Sequence, residues 1–451
     1  MKTSIKRLIC TVFCLCLLVG SFSACSGKKT GGNSTPSNGG GNSGNAGNVN
    51  VSQVEGVDDF EPYKNIPAEC KGQTVRFASW EVLDSYNWAK FEADTGIKAE
   101  RVEVPQSGYI SKIQSMITSG DIPDVFVDND GTGFPLTLSF AQPINKCSQV
   151  DLTDPAWDQS MLATATIDGN VYMLNTHNSP WAGSNLIYYN KALYDELGEK
   201  TPAEYYAEGT WTWDTLDQML KRFKSAGYYG ANINAKMFAG SAGASFISYD
   251  YKNAKFSNNV DSIALLAAYQ TWAEWDRQGL LGATMQSFRE GKAAMYALGV
   301  FGLKTEGHWS DMDPDDVGFT YFPSMKDGET AKVHSIYRMY GIVAGAPHAN
   351  AAGYFIRHFL DYKNYDLSTT FISEEAANFY YEITNTPADG KYFTFDDHCG
   401  QLTAEAAPFN TAVQKASAND VPTEIQAISN RVDKAVEAAN ATIAELRNHY
   451  K

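Results

Sequence analysis

Two clusters of carboxylates are the first candidates for chemistry in this chain, Asp128-Asn129-Asp130 and Asp313-Pro314-Asp315-Asp316. Paired carboxylates can work as acid and base, or as acid and nucleophile, in glycoside hydrolysis. The separation this needs is set by the fold, not by the sequence. The second cluster reads as a solvated loop. The first follows a predicted strand, where α/β sheets gather ligands, and is equally well explained by the turn preference of Asp, Asn and Gly. Other catalytic constellations are missing. Gly291-Lys292 has Gln286 where a phosphate-binding loop needs its upstream glycine. The sequence has neither a G-x-S-x-G elbow nor an H-E-x-x-H pair. Its histidines (177, 308, 334, 348, 358, 398 and 449) are scattered, and His398-Cys399 is too isolated for a metal site.

The elements that would position such residues begin at Gln73. Thr74 to Ser79 is a short β-prone run. Asp84 to Asp94 carries Trp88 and Phe91 at helical spacing and stops at Gly96, a C′ glycine. Ile97 to Val104 alternates as a second strand. Tyr109 to Thr118 places Ile110, Ile113 and Ile117 on one helical face, and the chain then passes Gly120 and Pro123 into the apolar Val125-Phe126-Val127. This βαβαβ order predicts parallel strands with helical crossovers. A second α/β region follows, with strands at Asn170 to Leu174 and Leu186 to Tyr189. Thr212 caps a helix there, and its stripe of Trp213, Leu216, Leu220 and Phe223 makes Trp213 a core residue. Trp211, Trp272 and Trp275 also read as structural. Pro422 opens a predicted long helix that keeps the helical period from Ile425 to Leu446.

Upstream of these elements, Lys2, Lys6 and Arg7 precede an apolar run from Leu8 to Val19 and the small residues Ser23-Ala24 before Cys25. This is the pattern of an export leader, too short for a membrane-spanning helix, with a cysteine placed as in a bacterial lipobox. The expectation is a signal peptide over 1–24 and lipidation (palmitate) at Cys25. Ser26 to about Asn50 is almost wholly Gly, Asn, Ser, Thr, Pro and Lys, so residues 25–65 are read as a lipidated cysteine plus flexible tether. The expected location is the cell surface, lipid-anchored to the outer face of the cytoplasmic membrane. The remainder of the 451 residues is too long for one ordinary core and points to two lobes. A formal charge of −16 disfavours nucleic acid and anionic lipid as partners. Cys70, Cys147 and Cys399 are the cysteines left after the anchor, an odd set that leaves one bridge open and is no disulfide framework. Aromatic residues, at 13%, exceed what packing usually demands.

Several stretches in colinear order resemble the extracellular solute-binding proteins of ABC importers, in the carbohydrate-type family that includes maltodextrin-binding proteins. They are Thr95-Gly96-Ile97; IQSMITSGDIPDVFV at Ile113 to Val127; Asp168-Gly169-Asn170-Val171-Tyr172; LIYYNK at Leu186 to Lys191; Leu197-Gly198; the Thr212-Trp213-Asp214 cap; and FREGKAAM at Phe288 to Met295 followed by Gly299 and Phe301. The resemblance implies a periplasmic-binding-protein-like (type II) α/β fold of two lobes, each discontinuous in sequence, with the ligand cleft between them. It implies chain crossings near Asn175, Ser335 to Arg338 and Thr384 to Pro387. The lobes would then be 66–175 with 338–385, and 176–337 with 386–451. It also implies a monomeric, non-enzymatic carrier without cofactor or metal that hands a carbohydrate, expected to be an oligosaccharide, to a membrane permease.

A sugar offers an apolar ring face and an equator of hydroxyls, so its site needs flat aromatics and planar polar groups on loops after strands. Trp80 and Glu81 follow the first strand, and Asp128, Asn129 and Asp130 follow the third. Asn178 and Trp181 lie past the first crossing. Phe301 is carried over by resemblance, standing where a stacking aromatic, often Trp, is usual, with Trp309 beside it. Tyr337, Arg338 and Tyr340 fall at the second crossing, where Arg338 either bonds hydroxyls or holds a carboxylate of the protein. The rival readings are ferric iron held by adjacent tyrosines such as Tyr188-Tyr189, a peptide or polyamine cargo, and a surface glycoside hydrolase or lyase.

Overall fold

A computed structural model describes residues 56–449, apart from 58, 82, 129–132, 178, 181–182, 305–307, 310–311, 336–337, 367–369, 387–389, 397–398, 400–401 and 403–408. The stretch from Val51 onward is one compact unit. It opens with β1 (Thr74–Ser79), α1 (Trp88–Thr95), β2 (Lys98–Glu103), α2 (Tyr109–Ser119) and β3 (Val125–Asp128). The caps follow from residue chemistry. Asn87 accepts from the Lys90 amide at the start of α1, and Gly96, at φ 72°, closes it in a left-handed conformation that glycine adopts without strain. β1 pairs in parallel with both β2 and β3, as the alternating βαβαβ pattern requires. After β4 (Ala141–Gln142) and α3 (Gln159–Thr164), the short β5 (Met173–Leu174) leads out of this first lobe.

The second lobe is built on β6 (Asn185–Asn190), α4 (Lys191–Leu197), α5 (Trp213–Ser225), β7 (Tyr229–Asn232), α6 (Ala235–Ser241), β8 (Ile247–Asp250), β9 (Lys255–Asn258), α7 (Ile263–Arg277), β10 (Ala293–Gly299) and β11 (Val317–Thr320). The chain then passes through β12 (Val333–Ser335) into β13 (Met339–Val343), α8 (Ala349–Phe359), α9 (Glu374–Thr384), β14 (Lys391–Phe393) and, at the end, α10 (Ser429–His449). The first sheet has the order β2-β1-β3-β13-β4, with β5 also paired to β13; the second has the order β11-β6-β10-β7. β13 therefore returns to the first lobe and completes its sheet antiparallel to β3. This two-lobed α/β architecture is the expected one.

Two details differ from the sequence reading. The stripe after Pro422 belongs to two helices, Val421–Ala427 and α10, which meet at Ile428. The carbonyl of Ile428 accepts from both Arg431 and Val432, so a second helix starts where the first ends. α9, read as part of the first lobe, packs on the second, with Phe379 5.1 Å from both Phe319 and Tyr321. Tyr365 bridges to Tyr86 in the first lobe while Phe371 bridges to Lys304 in the second, so the chain changes lobes between them. An apolar helix face follows whichever sheet it can cover, and its position along the chain does not decide that.

Candidate functional site

Trp80 and Glu81 leave the carboxyl end of β1, directly beside the end of β3. Tyr109, from the start of α2, is buried between these strands. Its hydroxyl donates to the Ala78 carbonyl at 2.8 Å and accepts from the Val127 amide at 3.1 Å. The Trp80 indole stands edge-on to the Tyr109 ring at 4.9 Å and 85°. Tyr109 thus fixes both strand ends and props the indole, a task for which a tyrosine at a helix start carries no sequence signature.

β13 arrives antiparallel with Met339 opposite Asp128, which brings Arg338 out at the same sheet edge. Arg338 forms an ion pair with Glu81 in which the two side chains are 12% and 9% exposed. Its Nε donates to the Tyr340 hydroxyl at 3.3 Å, and its carbonyl accepts from Asn175 Nδ2 at 2.8 Å. Of the two roles open to Arg338, the structure displays the carboxylate partnership. Asn175 follows β5 at the first crossing, so the two crossings are tied to each other at this edge.

In the second lobe, β10 ends at Gly299 and a 3-10 turn, Val300–Leu303, presents Phe301. Phe301 is 40% exposed, one of the few large apolar side chains in that state among the described residues. A Cβ on residue 299 would lie 2.4 Å from the Phe301 ring, so glycine is what lets the ring fold back there. The Val300 amide donates to the Ser184 carbonyl at 2.7 Å, and Ser184 bridges Ser335 with their hydroxyls 3.0 Å apart. Phe301 and Arg338 therefore flank the same hinge segment, one from each lobe.

Three residues read as ligand contacts are buried instead. Asp128 is fully buried and accepts from the Phe134 amide at 3.2 Å and the Thr137 hydroxyl at 2.5 Å, so it ties the end of β3 to Phe134 and Thr137. Trp309 is 5% exposed; its indole N–H donates to the Gly302 carbonyl at 2.6 Å and its ring lies 5.0 Å from Tyr188. It supports the turn that carries Phe301. Tyr340 is fully buried against Phe77 and Phe359. Asn129, Asp130, Asn178, Trp181, Tyr337 and Cys25 lie outside the described residues.

A second polar group braces the hinge. His334 lies between Asn185 Nδ2 at 2.8 Å and the Thr394 hydroxyl at 3.0 Å. Lys391 pairs with Asp158 at 3.0 Å, both side chains almost fully buried. Burial pushes the Asp158 carboxyl up, but the Lys391 ammonium and the Ser160 hydroxyl outweigh it and hold the group below its ordinary value. None of these partners was foreseen, because each contact joins segments far apart in the chain. Tyr188 donates to the Gly299 carbonyl at 2.9 Å from inside β6, which accounts for it by packing. Among the described residues no group of three or more His, Cys, Asp or Glu could hold a metal ion, and no helix is long and apolar enough to cross a membrane.

Residues 78–365 match the model of the bacterial extracellular solute-binding protein family, and the chain belongs to that family. A comparison with curated protein sequences gives no match. Among solved structures, the chain is similar to the cyclic α-maltosyl-1,6-maltose binding protein of Arthrobacter globiformis, with TM-score 0.56 and 16% identity over 83% of this chain and 99% of that one. It is similar to the GacH receptor of Streptomyces glaucescens, solved unliganded and with acarbose, with TM-score 0.53 and 14% identity over 84% and 99%. An ABC substrate-binding protein of Listeria monocytogenes in complex with cycloalternan gives TM-score 0.55 and 16% identity over 82% and 99%. At these identities the likeness is one of fold.

Proposed function

We propose that this protein captures an oligosaccharide between its lobes and delivers it to the membrane permease of an ABC importer, without chemical change to the cargo. The observation that carries the reading is the end of β1, where Trp80 stands on its Tyr109 prop next to Glu81 and its partner Arg338, while in the second lobe the exposed Phe301 sits on a turn bonded through Ser184 to Ser335, three residues before Arg338. Aromatic faces meet sugar C–H faces, and polar groups meet hydroxyls. The saccharides named for the three similar structures support the same cargo class. The proposed contact set also includes Asn129, Asp130, Asn178, Trp181 and Tyr337.

In this reading the lobes, 66–175 with 338–365 and 176–335 with the chain from Phe371 onward, close on the ligand, and the permease recognises the closed form. Cys25 carries the lipid, the stretch to residue 65 is the leash, and the carrier acts as a monomer at the outer face of the cytoplasmic membrane. Mass spectrometry of the cell-derived protein tests the anchor: a diacylglyceryl adduct on Cys25, lost in Cys25→Ala, is expected. Calorimetric titration with the saccharides named above and with linear α-glucans tests the cargo. One-to-one binding with no released product is expected; silence across the panel, or steady product release, defeats the reading.

A further inference from the structure

We propose that Glu81 and Arg338 together act as a charge filter that makes the site select uncharged saccharides over acidic or amino sugars; this deepens the carbohydrate reading above and rests on it. A guanidinium at the floor of a saccharide site is ordinarily a receptor for carboxylate, because its planar fork matches a carboxylate in a bidentate way. Here that capacity is taken by a side chain of the protein. Glu81 leaves β1, Arg338 precedes β13, and sheet pairing alone brings them together at one edge.

Both side chains are about nine-tenths buried. They lie beside the aromatic groups of Trp80 and Tyr340, where charge interactions are less screened than in water. Arg101, on β2 at the same edge, donates to the Ser79 carbonyl at 3.3 Å and has Glu103 at 3.8 Å. A uronate approaching this floor meets the Glu81 carboxylate and must displace it to reach Arg338. An ammonium sugar meets the reverse problem. Either ion loses hydration without gaining an unoccupied counter-ion, whereas a hydroxyl gives up less and can bond to an ionised edge. Rejection of the charged sugar is then the repulsive half of specificity.

The test uses the mature chain from Cys25 and three forms of one bound oligosaccharide: neutral, oxidised at its primary hydroxyls to carboxylates, and amino-substituted. The wild type is expected to bind the neutral form best. Glu81→Gln, which removes the carboxylate charge that faces Arg338, should shift the carboxylate-to-neutral affinity ratio toward the acid by about tenfold or more. Adding Arg338→Met to Glu81→Gln should cancel that shift. Arg338→Gln alone should move preference toward the amino form, and it keeps the test alive if Glu81→Gln does not fold, as checked by circular dichroism. Equal wild-type affinity for neutral and acidic forms, or unchanged ratios in folded variants, overturns the filter and leaves carbohydrate capture standing. No binding of any form removes both.

Discussion

At the scale of single residues, the site divides into side chains that face solvent and side chains that hold them. Phe301, 40% exposed, is of the first kind, and Trp80 is half-buried against the core with part of its surface open. Replacing either with Ala should weaken saccharide binding by roughly 1–3 kcal/mol while leaving the melting temperature of the free protein nearly unchanged for Phe301, the more exposed of the two. Titration calorimetry on each variant checks this, and unchanged affinity in both would misplace the site. Asp128 is of the second kind. Asp128→Ala leaves a buried amide and a buried hydroxyl without their acceptor, so urea denaturation should show a loss of roughly 1–3 kcal/mol. Asp128→Asn, which keeps one carbonyl acceptor, should lose less. The order of those two losses separates an anchor from a ligand contact.

At the scale of elements, α1 and α8 are joined by a buried polar chain. The Tyr86 hydroxyl lies 2.8 Å from His358 Nδ1, and His358 Nε2 lies 3.2 Å from Asp94. Burial pushes the His358 imidazole down to about 4, with Asp94 opposing the shift. An unfolded chain therefore takes up this proton more readily than the folded one. The stabilisation is complete above the ordinary histidine value of 6.5 and is lost as pH falls from there toward about 4. Urea midpoints measured across that window should decline, and His358→Gln should flatten the decline even if it lowers every midpoint. The packing of α6 on β12 is similarly exacting. A Cβ on Gly240 would lie 2.2 Å from the His334 ring, so Gly240→Ala should cost roughly 1–3 kcal/mol by overpacking and disturb the hinge brace. Gly240 carries no turn signal in the sequence; its need appears only when α6 meets His334.

At the scale of the whole molecule, the proposed closure joins lobes linked by three chain passages. A saturating saccharide should raise the melting temperature by mass action, and small-angle scattering should show a smaller radius of gyration in its presence. A protein that binds with no change in dimension would be a rigid receptor. Cys70, Cys147 and Cys399 are free, and burial pushes the Cys147 thiol up to about 12, so a reductant should leave the melting temperature unchanged.

The sequence by itself determined the local elements and their order: the first strand and its neighbours, the Gly96 and Thr212 caps, the core place of Trp213, and the colinear motifs of the family. Those features depend on backbone preference and on periodicity within one turn or one strand, and both are written in adjacent residues. Only the tertiary structure decided which candidate side chains reach the surface. Trp80 and Trp309 are both tryptophans near an expected site, yet one stands at a strand end and the other fills the space behind a turn. The partnership of Glu81 with Arg338 and the lobe that α9 covers were likewise settled by sheet pairing and by the need to bury apolar faces. Such contacts join positions distant along the chain, and no local pattern encodes them.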